Sequence, residues 1–220
     1  MYWNMLFKSF DRIRIINLSH RVDRRRDMER VLAAEGLLGD PRVAFFPAHS
    51  YSDSGHFYSA GAKGCFSSHL EILKAASRAN ASVLILEDDC DFANDIGLVR
   101  LPSEWGIFYG GYLAASHPSD PQVSDIVGAH FMGFSAQTVH RLVPWLEAAW
   151  ESDDPAPIDG EYVRFRRANP DIKSVFADPQ IARQRPSSTD IGKKRFFDRI
   201  FGVRHAARAA RRVKRKLNSV

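Results

Sequence analysis

Apolar positions along the chain switch between two periods. Ile13, Ile15 and Ile16 mark residues 12–18 as a first strand that closes in a polar turn. From Asp23 to Glu35, Met28, Val31 and Leu32 recur at helical spacing in a charged segment, and Gly36 supplies the stop. Residues 43–46 read as a short second strand. The Gly-, Ser- and Tyr-rich stretch from Ser50 to Gly64 is too polar for a core element and reads as a long loop, a kind of segment that usually serves function in compact domains. A helical pattern then runs from Cys65 to Ala79 through Leu70, Leu73 and Ala76. Residues 83–86, Val-Leu-Ile-Leu, form an unbroken apolar run, as expected of a central strand covered on both faces. Residues 105–112 and a shorter segment, 130–134, give two more strands, and residues 137–150 a helix. This alternation predicts an α/β domain with a largely parallel sheet.

Charge divides the chain. Residues 193–220 hold 11 of the 31 Lys and Arg and a single acid, Asp198, a net charge of +10, whereas residues 1–192 carry −5. The expected organisation is therefore a folded domain over 1–192 and a basic helical tail over 193–220. In the tail, Phe196, Ile200, Val203, Ala207, Ala210 and Leu217 recur at near-helical intervals among basic residues, the pattern of an amphipathic helix on an anionic membrane. A solvated tail is the plainer reading. RNA contact rests on charge alone, because no aromatic framework accompanies it.

No stretch approaches the roughly 20 apolar residues of a membrane span. The first residues lack the basic start, apolar run and cleavage site of a signal peptide. The two cysteines, Cys65 and Cys90, have no Cys/His metal spacing and suit a reducing compartment. A cytoplasmic protein is expected, peripheral at the cytoplasmic face of the inner membrane if the tail binds lipid.

The candidate chemistry begins where the apolar run stops, at Glu87-Asp88-Asp89-Cys90-Asp91. Four carboxylates within five residues repel one another, and ligands of open α/β sheets bind beyond the carboxyl ends of strands. Mg²⁺ or Mn²⁺ is the natural occupant, with a bound diphosphate completing its ligands. A solvated acidic turn is the alternative.

Three blocks in order carry a resemblance. Ile16-Asn17-Leu18 with Asp23-Arg24, Gly64-Cys65 with Ser68-His69, and Leu84-Ile85-Leu86-Glu87-Asp88-Asp89 are similar to motifs of glycosyltransferase family 25, which includes lipopolysaccharide and collagen galactosyltransferases. Pro157-Ile158-Asp159 and the stretch from Gln184 to Ile191 resemble weaker blocks of that family. The resemblance implies a GT-A fold with a Rossmann-like sheet. It also implies inverting transfer of a sugar, galactose above all, from a UDP-sugar to a lipopolysaccharide or other surface glycan.

On that reading Asp89 and Asp91 are the metal ligands, and Asn17, Leu18, Glu87 and Asp88 line the donor side. Arg24 reaches the diphosphate or uridine, or lies on a solvated helix face. His69 contacts donor or acceptor, or ties down the loop by a structural hydrogen bond. Cys65 is read as a small buried residue. An inverting transfer needs one general base. Asp159 is the first choice, with helix capping as its plainer role, and Asp190 competes. Gln184 and Ser188 line the site from the C-terminal side. Two other classes stay open: an inactive membrane-associated scaffold that keeps the fold, and a tail-mediated nucleic-acid binder.

Overall fold

A computed structural model describes residues 5–93, 96 and 99–185. Asp190, Ser188 and the basic segment 193–220 lie outside the described residues, as does the expected boundary at residue 192.

Six strands form the main sheet, in the order β2-β1-β3-β6-β5-β7. They are β1 (Arg12–Asn17), β2 (Val43–Pro47), β3 (Val83–Glu87), β5 (Ile107–Ala114), β6 (Ile126–Phe134) and β7 (Ser174–Phe176). Only β6 is antiparallel to its neighbours; the pairs β1–β2, β1–β3 and β5–β7 are parallel. The α-helices among the described residues are α1 (Val22–Ala34), α2 (Ala60–Arg78), α3 (Ala136–Trp150) and α4 (Ile158–Ala168). The α/β, mostly parallel architecture expected from the pattern is thus observed. Two further strands, β4 (Cys90–Phe92) and β8 (Ala182–Gln184), pair antiparallel as a separate ribbon.

The unbroken apolar run of β3 has a direct cause. Val83 and Ile85 pack into the core with Leu73 of α2, Leu142 of α3 and Tyr162 of α4. Leu84 and Leu86 face the other core, with Met28 and Leu32 of α1 and with Phe131. All four side chains are fully buried. A strand with a core on each face has no solvent side on which to place polar residues.

The structure departs from expectation at the start of α2, at the start of β6 and in three short strands. Helix α2 begins at Ala60 rather than Cys65, because Ser59 caps it by accepting from the Ala62 N–H at 3.1 Å. Its first turn holds small residues and carries no apolar period. Strand β6 begins at Ile126 rather than near His130; Gly128, with φ +98°, and register shifts against β5 interrupt the alternation there. Strands β4, β7 and β8 have three residues each, too few to show a period. Helix α1 stops as read: Gly36 takes φ +67°, and the N–H of Leu37 reaches back to the Leu32 carbonyl at 2.8 Å.

Candidate functional site

Parallel pairing places the carboxyl ends of β1 and β3 side by side, with Ile16 opposite Glu87. The next residue on each strand carries a polar side chain into the shared space. Asn17 donates from Nδ2 to Asp88 Oδ2 at 2.7 Å, and the Asp88 N–H donates to the Ile16 carbonyl at 3.1 Å. Arg24, on the first turn of α1, sends one Nη1 to Asp88 Oδ1 at 2.9 Å and to Asp89 Oδ2 at 3.1 Å. Both carboxylates are almost wholly buried, and Arg24 is mostly so. Leu18 starts the intervening turn by accepting from the Arg21 N–H at 2.8 Å. Arg21 is near enough for its charge to couple to Asp88 and Asp89.

The β4–β8 ribbon brings in the late part of the chain. Cys90 pairs with Gln184, so the Gln184 amide reaches back to Asp89, 3.2 Å from Oδ2 and 3.3 Å from Oδ1. Gln184 is exposed, and these bonds are long. Asp91 lies one residue further along β4, half-buried and opposite Arg183.

Helices α2 and α4 close the other side. The Gly-Cys-x-x-Ser-His block has a physical reason for each named position. A Cβ on Gly64 would stand 2.4 Å from the His49 carbonyl oxygen, so the loop and the helix touch backbone to backbone. Ser68 Oγ accepts from the His49 N–H at 2.9 Å and donates to the Gly64 carbonyl at 2.7 Å. Cys65 is half-buried, with Sγ 3.8 Å from Glu87 Oε1, which revises its reading as a merely small buried residue. His69 is fully buried, and its Nδ1 lies 2.8 Å from the Tyr162 hydroxyl on α4. Burial pushes that phenol well above its usual value and keeps it protonated.

Asp159 sits in the first turn of α4, but Pro157 holds the cap position. Its Oδ2 accepts from the Gly128 N–H of β6 at 2.9 Å and its Oδ1 from the Gly160 N–H at 2.8 Å. Burial raises its carboxyl above the usual range; the two N–H groups oppose the rise, and the negative charge of Glu87 adds to it. That coupling connects Asp159 with the acidic turn.

The fold therefore gathers Asn17, Leu18, Arg24, Glu87, Asp88, Asp89 and Gln184 at one end of the sheet, with Asp91 adjoining. His69 and Asp159 approach Glu87 from the helical side. Asn17, Arg24 and Asp88 spend polar atoms on one another, which no single segment of sequence could reveal. Tyr162 escaped the sequence reading; its only signal is its place one turn beyond Asp159, on the same face of α4. The donor set of the acidic turn, carboxylate oxygens in excess of Arg21 and Arg24, fits a hard divalent cation.

No family model matches the chain. It is similar to procollagen galactosyltransferase 1-B of Xenopus laevis, 28% identical over a match covering 51% of this chain and 23% of that protein. It is similar also to a glycosyltransferase 25 family member of Drosophila melanogaster, 29% identical over 69% of this chain and 29% of that protein. The chain thus spans less than a third of the length of these curated relatives. Among solved structures, a glycosyltransferase involved in glycosylation of the major capsid of PBCV-1 superposes with TM-score 0.48 at 13% identity, covering 76% of this chain and 82% of that one. The CTP:phosphocholine cytidylyltransferase of Streptococcus pneumoniae gives TM-score 0.41 at 12% identity, covering 83% and 76%. The resemblance to glycosyltransferase family 25 read from the motifs is borne out by the curated matches. No helix among the described residues is long and apolar enough to cross a membrane.

Proposed function

We propose that this chain is an inverting glycosyltransferase that moves a sugar, galactose in the first instance, from a UDP-sugar to a lipopolysaccharide or other surface-glycan acceptor. The observation that carries the reading is the convergence of Glu87, Asp88, Asp89, Arg24 and Gln184 at the carboxyl ends of β1 and β3, in a chain similar to a procollagen galactosyltransferase.

Asp89 and Asp91 are the residues to hold Mn²⁺ or Mg²⁺, which when bound supplies Lewis-acid neutralisation of the diphosphate. Gln184 is the group that yields, because its contacts to Asp89 are long and its side chain is exposed. Arg24 offers a fixed positive charge beside the phosphates. Asn17 and Asp88 hold Arg24 and the acidic turn in place.

The transfer is one in-line displacement. The acceptor hydroxyl gives its proton to Asp159, its oxygen bonds to the anomeric carbon, and the bond from that carbon to the diphosphate breaks, releasing UDP. A carboxylate whose proton affinity is raised by burial is a better acceptor than an exposed one, which supports Asp159 as the base. Asp190 is the competing base, and Ser188 a further donor contact. The +10 charge of residues 193–220 supports contact with an anionic membrane that presents a lipid-linked acceptor.

One observation favours a second reading. Both oxygens of Asp89 already accept hydrogen bonds, from Arg24 and Gln184, as those of a purely structural acid would. On that reading the chain is a scaffold that keeps the fold without the chemistry. Purified protein screened across UDP-sugars with Mn²⁺ separates the two. Turnover with one donor, lost in Asp89→Ala, supports the transferase. No hydrolysis or transfer with any donor, on a folded chain, supports the scaffold.

A further inference from the structure

A second cluster of metal-ligating side chains lies behind the acidic turn. Cys65 and His69 stand four residues apart on α2 and project from one face of it, a pairing that revises the expectation of no metal spacing at either cysteine. Glu87, at the end of β3, faces them. The thiol sulfur, a ring nitrogen and a carboxylate oxygen all lie within 4.8 Å of one another. Glu87 Oε1 is 3.8 Å from Cys65 Sγ and 3.9 Å from His69 Nε2.

His69 is the informative member. Its ring is fully buried, Nδ1 is engaged with Tyr162, and Nε2 has no hydrogen-bond partner among the described residues. A buried polar atom left so has given up its water without a replacement partner, which is destabilising. The Glu87 oxygen is aimed at it yet stands 3.9 Å away, beyond hydrogen-bond reach. Ligands around a tetrahedral zinc ion, with bonds of about 2.0–2.3 Å, stand roughly 3.4–3.8 Å apart. Two of the observed separations, 3.8 and 3.9 Å, are close to that range and the three atoms lie within 4.8 Å of one another, while the Cys65 thiol donates its proton to Glu87 in the absence of an ion.

We infer that Cys65, His69 and Glu87 bind a borderline divalent cation of the Zn²⁺ class, at a site separate from the hard-cation site at Asp89 and Asp91. Thiolate and imidazole select Zn²⁺ over Mg²⁺ or Mn²⁺, which prefer oxygen. Nε2 coordinates as the unprotonated nitrogen, so Nδ1 carries the proton and donates it to the Tyr162 hydroxyl, an outer-shell bond that fixes the ring. Binding releases the Cys65 thiol proton to solvent. Three protein ligands leave one position for water. The ion joins α2 to the end of β3 and fixes Glu87, the first residue of the acidic turn.

The test uses the full chain, stripped of metal with a chelator and titrated with Co²⁺ without nucleotide. The expected result is a near-ultraviolet thiolate-to-cobalt absorption that saturates at roughly one equivalent and is displaced by Zn²⁺. The absorption disappears in Cys65→Ser, persists in Cys90→Ser, and needs at least about tenfold more Co²⁺ in His69→Gln. Circular dichroism of each variant verifies folding. Lack of the absorption in the folded wild-type chain, or its survival in Cys65→Ser, overturns the inference. The readout is independent of turnover, so neither result bears on the proposed sugar transfer.

Discussion

The Asn17 amide and the Asp88 carboxylate meet at 2.7 Å, both buried, and tie the end of β1 to the turn after β3. Asp88 also holds Arg24. Removing the carboxylate leaves a largely buried guanidinium without one of its partners, so Asp88→Ala is expected to lower stability by about 3 kcal/mol. Urea denaturation measures it. A loss below about 1 kcal/mol would mean that the pair is merely adjacent.

Gly64 is the closest backbone approach in the Gly-Cys-x-x-Ser-His block. A methyl there meets the His49 carbonyl at 2.4 Å, and neither backbone can give way cheaply. Gly64→Ala is expected to cost about 1–3 kcal/mol by overpacking. An unchanged melting curve would contradict it.

Asp159 separates stability from function. Burial raises its folded carboxyl above the unfolded value, so the group favours folding at acid pH, where it is protonated. That contribution is lost as pH rises through the raised value. Asp159→Asn should therefore gain stability relative to wild type on going from acid to neutral pH, while turnover falls by roughly 10²–10⁴-fold. Denaturation at several pH values together with a turnover assay checks both signs. If the base is Asp190 instead, turnover of Asp159→Asn stays near wild type.

Tyr162→Phe removes the hydroxyl that lies 2.8 Å from His69 Nδ1. A buried ring nitrogen left without its bond predicts a loss of about 1–3 kcal/mol, read by chemical denaturation. Equal stability would show that the ring has found another partner.

Much of this architecture was legible in the sequence because burial leaves a period. The double-sided core around β3 wrote an unbroken apolar run, and the stop at Gly36 followed from its left-handed backbone. The acidic turn could be read because charge after a buried strand is unusual. What stayed hidden depends on pairing across long separations. Gln184 meets Asp89 across 95 residues through strands too short for any period. Tyr162 reaches His69 across 93. The start of α2 at Ala60 was masked because a helix begun by small residues has no hydrophobic face there.

Calorimetric titration of UDP into the purified chain, with and without Mn²⁺, reports on the central claim most directly. Binding that requires Mn²⁺ and vanishes in Asp89→Ala is the predicted result. UDP binding that is indifferent to Mn²⁺ and to Asp89→Ala, or absent altogether from the folded wild-type chain, would contradict it.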